Sequence, residues 1–280
     1  MAGALLALVR MRTALVTGAN QGIGFALVEG LAARLDPDDL VLLTGRSPAR
    51  VADAAARAAA NPNARARVEG RVLDVGDPDA VAASAFAADI VFSNAVTRMT
   101  PDTQAERADE SIAVSNGGTH AVLRAFGPVL RPGGRLLVVA SSLGTLDHLP
   151  PHLRPLFDNV SLDAVEEAVT SWRTALRDGT AEERGWPRWI NIPSKVAQVA
   201  AVRAFAATSP PDTLIAAVCP GLVDTPTSRP WFTDFTRART PAEAADDLLT
   251  LAFTTPPDPS WHGELVRHGQ VLPWRGTPAA

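Results

Sequence analysis

The chain has 280 residues, of which 46% are hydrophobic, and a formal net charge of -4. That length supports a substantial core, and the mild acidity offers no electrostatic footprint for nucleic acid. A lone cysteine, Cys219, excludes an internal disulfide and fits a reducing cytoplasm. The opening MAGALLALVRMR is too short an apolar run to span a bilayer, and its arginines follow the run instead of preceding it. It reads as an extended lead-in strand or a start misplaced upstream of Met11. No membrane partner and no metal site is assigned.

Taken in order, the first half alternates strand and helix signals, the pattern of a parallel sheet covered on both faces. Leu15–Val28 runs from an apolar strand through a glycine-punctuated turn into a helix ending near Leu35. Leu40–Thr44 reads as a buried strand. Ser47-Pro48 opens an alanine-rich helix that Asn61-Pro62-Asn63 stops. Arg67–Leu73 is a third strand, Asp77-Pro78 starts a short helix, and Asp89–Ser93 is strand four. A long helical region from Thr103 to Leu130 ends at Arg131-Pro132-Gly133-Gly134, before strand five at Arg135–Ala140.

Residues 143–190 are less regular, with a helix at Leu162–Leu176. Helical periodicity returns from Ile192 to Thr208, and Leu214–Val218 is strand six. Thr240-Pro241-Ala242-Glu243 is a capping pattern that opens a last helix, and Gly263–Val266 supplies a last strand. With no repeat and no linker, residues 1–280 read as one doubly wound α/β domain of the Rossmann type, with a mostly parallel seven-stranded sheet.

The turn TGANQGIG carries the first chemistry. The first turn of a helix has unpaired N–H groups and partial positive charge that suit a phosphate. Gly18 can take a positive φ, Gly22 lets backbone approach a ligand, and Gly24 lets helix sit against strand. The spacing Gly-x-x-x-Gly-x-Gly departs from the general dinucleotide pattern, but strand and helix flank it as that pattern requires.

These residues, with LTGRS after strand two, Leu73-Asp74-Val75, Ser141-Ser142, Lys195 and Cys219-Pro220-Gly221 with Thr225, resemble the short-chain dehydrogenase/reductase family over nearly the whole chain. Gly185-Trp186-Pro187 and the 143–190 insertion resemble its carbonyl-reductase branch. The resemblance implies a small-molecule carbonyl substrate, NADP(H) as cofactor, a cytoplasmic location, and a monomer, because in that branch the insertion covers the surface other members use to dimerise. It also implies a cofactor site of Gly18, Asn20, Gln21, Gly22, Ile23, Gly24, Arg46, Asp74, Val75, Asn94, Lys195, Pro220, Gly221, Val223 and Thr225. Ser142, Asn191, Lys195 and Asn116 occupy the catalytic positions.

The residues argue for parts of this separately. At the end of strand two, Gly45 lacks the carboxylate that holds a ribose 2′-hydroxyl in NAD sites. Arg46, next to it, presents a guanidinium able to pair with a 2′-phosphate. Gln21 is neutral where the branch has a lysine.

Other positions depart from the family. Ser93-Asn94-Ala95-Val96 replaces Asn-Asn-Ala-Gly, and Val96 puts a branched side chain where the family keeps only backbone, so the local path is expected to shift. Asn116-Gly117-Gly118-Thr119 is one residue short of Asn-x-x-Gly-Thr. Counting back from Thr119 selects Ser115; counting back from Ser142 allows Asn116, which is preferred here.

The largest departure is at the proton donor. The family's Tyr-x-x-x-Lys reads Asn191-x-x-x-Lys195, and the chain contains no tyrosine. An amide can donate a hydrogen bond to an oxyanion but cannot deliver a proton near neutral pH, and general acid catalysis is typically worth about 10²–10⁴-fold. Two kinds of function follow. One is an NADPH-dependent reductase of ketones or aldehydes, with a proton relay rebuilt through Ser142 and water or through His148, His152 or Asp147. The other is a non-redox enzyme (dehydratase, isomerase or cyclase) or an NADPH-binding protein on the same scaffold. Phe157, Trp172, Trp186, Trp189 and Trp231 fall where this family shapes its pocket; they suit a large apolar carbonyl compound or, equally, core packing.

Overall fold

A computed structural model describes residues 10–276; most of the opening apolar segment lies outside the described residues. Among the described residues, eight strands form one sheet: β1 (Thr13–Val16), β2 (Leu40–Gly45), β3 (Arg67–Val72), β4 (Ile90–Ser93), β5 (Arg135–Val139), β6 (Leu214–Val218), β7 (Leu265–Arg267) and β8 (Gln270–Leu272). Their order is β3-β2-β1-β4-β5-β6-β7-β8. Every pairing is parallel except that of β7 with β8. The expected seven strands are thus eight. The extra one is a three-residue return, too short for alternation of side chains to announce it.

Alternation within the strands divides the core in two. Leu15, Leu42, Val91, Leu136, Val138 and Ile215 point to one face, beneath α3 (Pro78–Ala83), α5 (Gly118–Phe126), α6 (Leu162–Arg177) and α7 (Asn191–Ala206). Val16, Val41, Leu43, Phe92, Leu137 and Val218 point to the other, beneath α1 (Gly22–Arg34), α2 (Pro48–Ala59) and α8 (Pro241–Phe253). Central strands buried on both faces read as continuous apolar runs for this reason. The capping box expected on α8 is present, with Thr240 and Glu243 each bonding the other's backbone N–H.

The helical region expected from Thr103 to Leu130 begins at Ala108 and is divided. It contains α4 (Ala108–Ile112), a π-helical turn at Ala113–Gly117, and α5. Such turns are a single-residue accommodation often found at functional sites. Here Gly118 is pressed so closely on Val75 that a Cβ would lie 2.8 Å from Val75 Cγ2.

The insertion folds as three short 3₁₀ turns followed by α6. Three of its aromatic residues are core: Phe157, Trp172 and Trp186 are buried and stack edge-on or tilted at centroid distances of 5.8–6.2 Å. Arg173 and Arg177 of α6 pair with Asp109 of α4, and Arg124 of α5 pairs with Asp163 and Glu166. The helix of the insertion therefore packs on α7 and α4 and is tied by charge to α4 and α5.

Candidate active site

The strand order reverses between β1 and β4, and crevices at such switch points bind ligands beyond the carboxyl ends of the strands. The glycine turn leaves β1 here. Gly18 has φ +61°, and a Cβ on it would fall 2.6 Å from Ala95 Cα of the segment after β4. Gly24 is equally confined, with Asn94 Nδ2 2.5 Å from its Cβ position. Gly22, at φ +58°, meets only Thr225 Cγ2 at 3.7 Å, so its backbone faces the crevice. The α1 N-cap Gln21 makes no side-chain cap and the first turn has no acid, which leaves the amides of Gly22, Ile23 and Gly24 available to an anion. The Ile23 side chain itself packs on the core.

Asn94 turns its amide back to Thr17 O at 3.0 Å and Gly18 O at 3.3 Å, so its side chain braces the glycine turn. Thr17, unremarked in the sequence, accepts from the N–H groups of both Asn94 and Ala95. The backbone is thereby held through Ala95, and Val96 leaves its side chain 45% exposed beyond it.

Arg46, the expected 2′-phosphate ligand, donates to Glu110 of α4 at 2.6 Å. Glu110 also receives Arg107 at 2.7 Å, and the Arg46 bond, opposed by partial burial, holds its carboxyl below the usual range. Arg50 donates to Gln21 at 3.1 Å, and the two line a groove of about 390 Å³ with Asn20, Ala49, Asp53 and Arg57. Asp74 is exposed and accepts from Gly76 N–H at 2.9 Å, closing its own turn. Val75 is buried against Gly118.

Beyond β6, Pro220 and Gly221 (φ +76°) turn the chain, and Val223 pairs with Arg239 in a short parallel bridge. Thr225 is buried, capping a turn with Ser228 and setting its methyl against Gly22.

At the other end of the crevice, Ser142 begins a 3₁₀ turn after β5, and its N–H donates to Cys219 Sγ at 3.1 Å. Gly144 of this turn lies so close to α7 that a Cβ would meet Lys195 O at 2.9 Å and Val199 Cγ2 at 2.6 Å. Only glycine brings the serine turn this near the helix of Asn191 and Lys195. Asn191 is the first residue of α7, half-buried, and its side chain has no hydrogen-bond partner among the described residues.

Lys195 Nζ donates to Gln198 Oε1 at 2.6 Å and Val139 O at 3.3 Å. Although the residue keeps some exposure toward the crevice, its ammonium sits inside protein. Desolvation lowers its pKa to about 8, against a smaller opposing pull from Cys219.

Asn116 is enclosed between the π-helical turn and α7. It is 1% exposed, donating to Ser194 O and accepting from Ser194 Oγ, both at 2.9 Å, so it ties the π-helical turn to α7. Ser115 is the residue linked to Lys195, because its carbonyl accepts from Gln198 Nε2 at 3.0 Å. Of the two residues offered for the family's asparagine position, Asn116 bonds α7 through its side chain and Ser115 reaches Lys195 through Gln198. The loop histidines are also committed elsewhere: His148 Nδ1 to Thr145 Oγ1 at 2.9 Å, and His152 Nε2 to Arg184 O at 3.1 Å, while Asp147 binds Thr145.

Sequence reasoning missed Gln198. It stands alone among apolar residues in KVAQVAAV, one turn from Lys195, and a solitary amide in a buried run must find partners. It also missed that Lys195 is the chain's only lysine. At the crevice mouth, Trp189 and Trp231 stack at 5.6 Å beside the exposed Phe232, and Trp231 Nε1 donates to Met99 O at 3.1 Å.

A parallel sheet with an anion-ready glycine turn and a serine–lysine pair across one crevice defines an α/β nucleotide-fold enzyme. Residues 12–150 match the family model for short chain dehydrogenase. The chain is 27% identical over 286 residues to carbonyl reductase (NADPH) 1 of Rattus norvegicus, covering 93% of this chain and 98% of that one. Among solved structures it is similar to salutaridine reductase from Papaver somniferum, with a TM-score of 0.73 at 22% identity over 89% of this chain and 98% of that one. It is likewise similar to NADPH-bound carbonyl reductase from chicken fatty liver, with a TM-score of 0.67 at 18% identity over 95% of this chain and all of that one. The chain belongs to the short-chain dehydrogenase/reductase family, near its carbonyl-reductase branch.

Proposed function

We propose that this protein is an NADP(H)-dependent oxidoreductase that reduces a small-molecule ketone or aldehyde, acting as a single-domain cytoplasmic monomer. The observation that carries this is the crevice itself: free amides at Gly22–Gly24 and Arg46 at one end, and Ser142 and Lys195 at the other. The named carbonyl reductases among its relatives support the same reading. NADPH would supply the hydride. The Gly22–Gly24 amides would hold its pyrophosphate and Arg46 its 2′-phosphate, with Pro220, Gly221, Val223 and Thr225 closing over it. Ser142 and Asn191 orient a carbonyl oxygen by hydrogen bonds. Lys195, whose pKa burial lowers to about 8, carries an exchangeable proton on the same helix as Asn191.

The test is a titration of the purified protein with NADPH and NADP⁺, followed by a panel of aromatic and aliphatic carbonyl compounds. We expect saturable binding and loss of NADPH equal to alcohol formed. Failure of both nucleotides to bind overturns the proposal. The lack of any tyrosine favours a second reading, a non-redox enzyme or an NADPH-binding protein on this scaffold. Deuteride from labelled NADPH appearing in the product eliminates it.

A further inference from the structure

Gln198 has every polar atom engaged. It is 3% exposed. Its Oε1 accepts from Lys195 Nζ at 2.6 Å, while its Nε2 donates to Ser115 O at 3.0 Å and Thr119 Oγ1 at 2.9 Å. Thr119 Oγ1 gives its own proton to Ser115 O, so it can only accept from Gln198. These partners fix which way the amide points. Flipped, its NH₂ would face the ammonium and its oxygen would face the Ser115 carbonyl, and both contacts would be repulsive.

The π-helical turn at Ala113–Gly117 shifts the helical hydrogen-bond register where two side chains converge on the Ser115 carbonyl. An ammonium has three N–H donors. Gln198 and Val139 take two, and the third remains for the crevice.

We propose that Gln198 is a positioning residue. It anchors the Lys195 ammonium at the crevice floor and closes the hydrogen-bond path behind it, so that no proton leaves Lys195 through Gln198. An amide carries no readily transferable proton, and beyond it lie only a hydroxyl already donating and a carbonyl. Around Lys195, the β5 end offers Val139 O, the 3₁₀ turn Ser142 and Gly144, the π-helical turn Ser115, and α5 Thr119. The Cys219 thiol after β6 is the titratable group facing the lysine among the described residues. The functional part of the inference rests on the reductase reading, since it places Lys195 at the reacting end; the positioning part rests on the contacts alone.

One lysine in the chain makes the test direct. Protein labelled with ¹³C at lysine Cε gives a single side-chain resonance, followed from pH 6 to 11 without cofactor or substrate. A midpoint near 8 is expected for the wild type. Gln198→Leu removes an acceptor that favours the charged form and lowers the midpoint by roughly a unit or more. Gln198→Glu keeps an acceptor, adds a carboxylate, and raises it by at least as much. The pH dependence of NADPH binding should move in the same two directions. Midpoints that coincide in all three folded proteins overturn the proposal. That result would leave the reductase reading standing, whereas absence of NADPH binding would leave the lysine titration interpretable.

Discussion

Arg46 shows how a single residue can be read correctly in type and incompletely in context. Its position after Gly45 implies a 2′-phosphate ligand, yet across the crevice rim Glu110 already occupies its guanidinium. Glu110 is thus an internal competitor for the phosphate. Both side chains are substantially exposed, so the pair is worth at most about 1 kcal/mol, or roughly five-fold in affinity. Glu110→Gln should tighten NADP⁺ two- to five-fold and leave NAD⁺ unchanged, as read by tryptophan-fluorescence titration. An equal gain for both nucleotides would show that Glu110 acts on the adenine end generally and not through Arg46. No sequence pattern could have revealed this pairing, because 64 positions separate the partners. The glycine turn was legible for the opposite reason: its meaning is local, and positive φ at Gly18 and Gly22 demands glycine whatever surrounds it.

Elements were legible where burial imposes a period or a cap imposes an end. Strands β1, β2, β5 and β6, the Asp77 and Thr240 caps, and α6 fall within a residue or two of expectation. The helical region after β4 was not, because a π-helical turn changes register by one residue, and Gly117-Gly118 beside it marks no helix end. That is also why Ser115 and Asn116 could not be separated by counting. Next to this break, α5 carries His120, 3% exposed, with no hydrogen-bond partner on either ring nitrogen among the described residues. Its Nδ1 lies 3.6 Å from Glu166 Oε2, too far to bond. Burial lowers the His120 pKa, and Glu166 opposes this only in part. The unfolded chain therefore binds a proton more readily, and this residue costs stability as pH falls below about 6.5. His120→Leu removes two unpaired polar atoms and should stabilise the fold at pH 7 by about 1 kcal/mol, with a larger gain at pH 5, measured by urea denaturation. A loss at pH 7 would mean that the imidazole has a partner, most simply a bound water.

At the scale of the molecule, one sheet gathers the ends of β1, β2, β4, β5 and β6 at a crevice, and the insertion's helix packs on α7, which carries Asn191 and Lys195, and on α4. The stability of the whole is then linked to the charge kept at the crevice floor. Twenty-six cations are spread over the chain, and the one at the floor is its only lysine. An arginine there could not lose its proton near neutrality.

Burial takes Lys195 from an ordinary 10.5 to about 8. Below pH 8 both folded and unfolded states carry the proton, and the fold bears the full cost of a desolvated charge. Between about 8 and 10.5 the folded state releases the proton while the unfolded state retains it. The unfolded state then binds more protons, so stability rises with pH, by at most about 1.4 kcal/mol per unit. Lys195→Met abolishes this dependence. It also leaves Gln198 Oε1 without its donor, a penalty that does not vary with pH, so the absolute difference between the proteins is less informative than its slope. Relative to wild type, the variant should be at its most stable below pH 8 and should lose that advantage steadily up to pH 10.5. Denaturant titrations of the two proteins at pH 7, 9 and 10.5 read this directly. Parallel curves would mean that the ammonium is solvated through the crevice, and the site would then have no group poised to exchange a proton near neutrality.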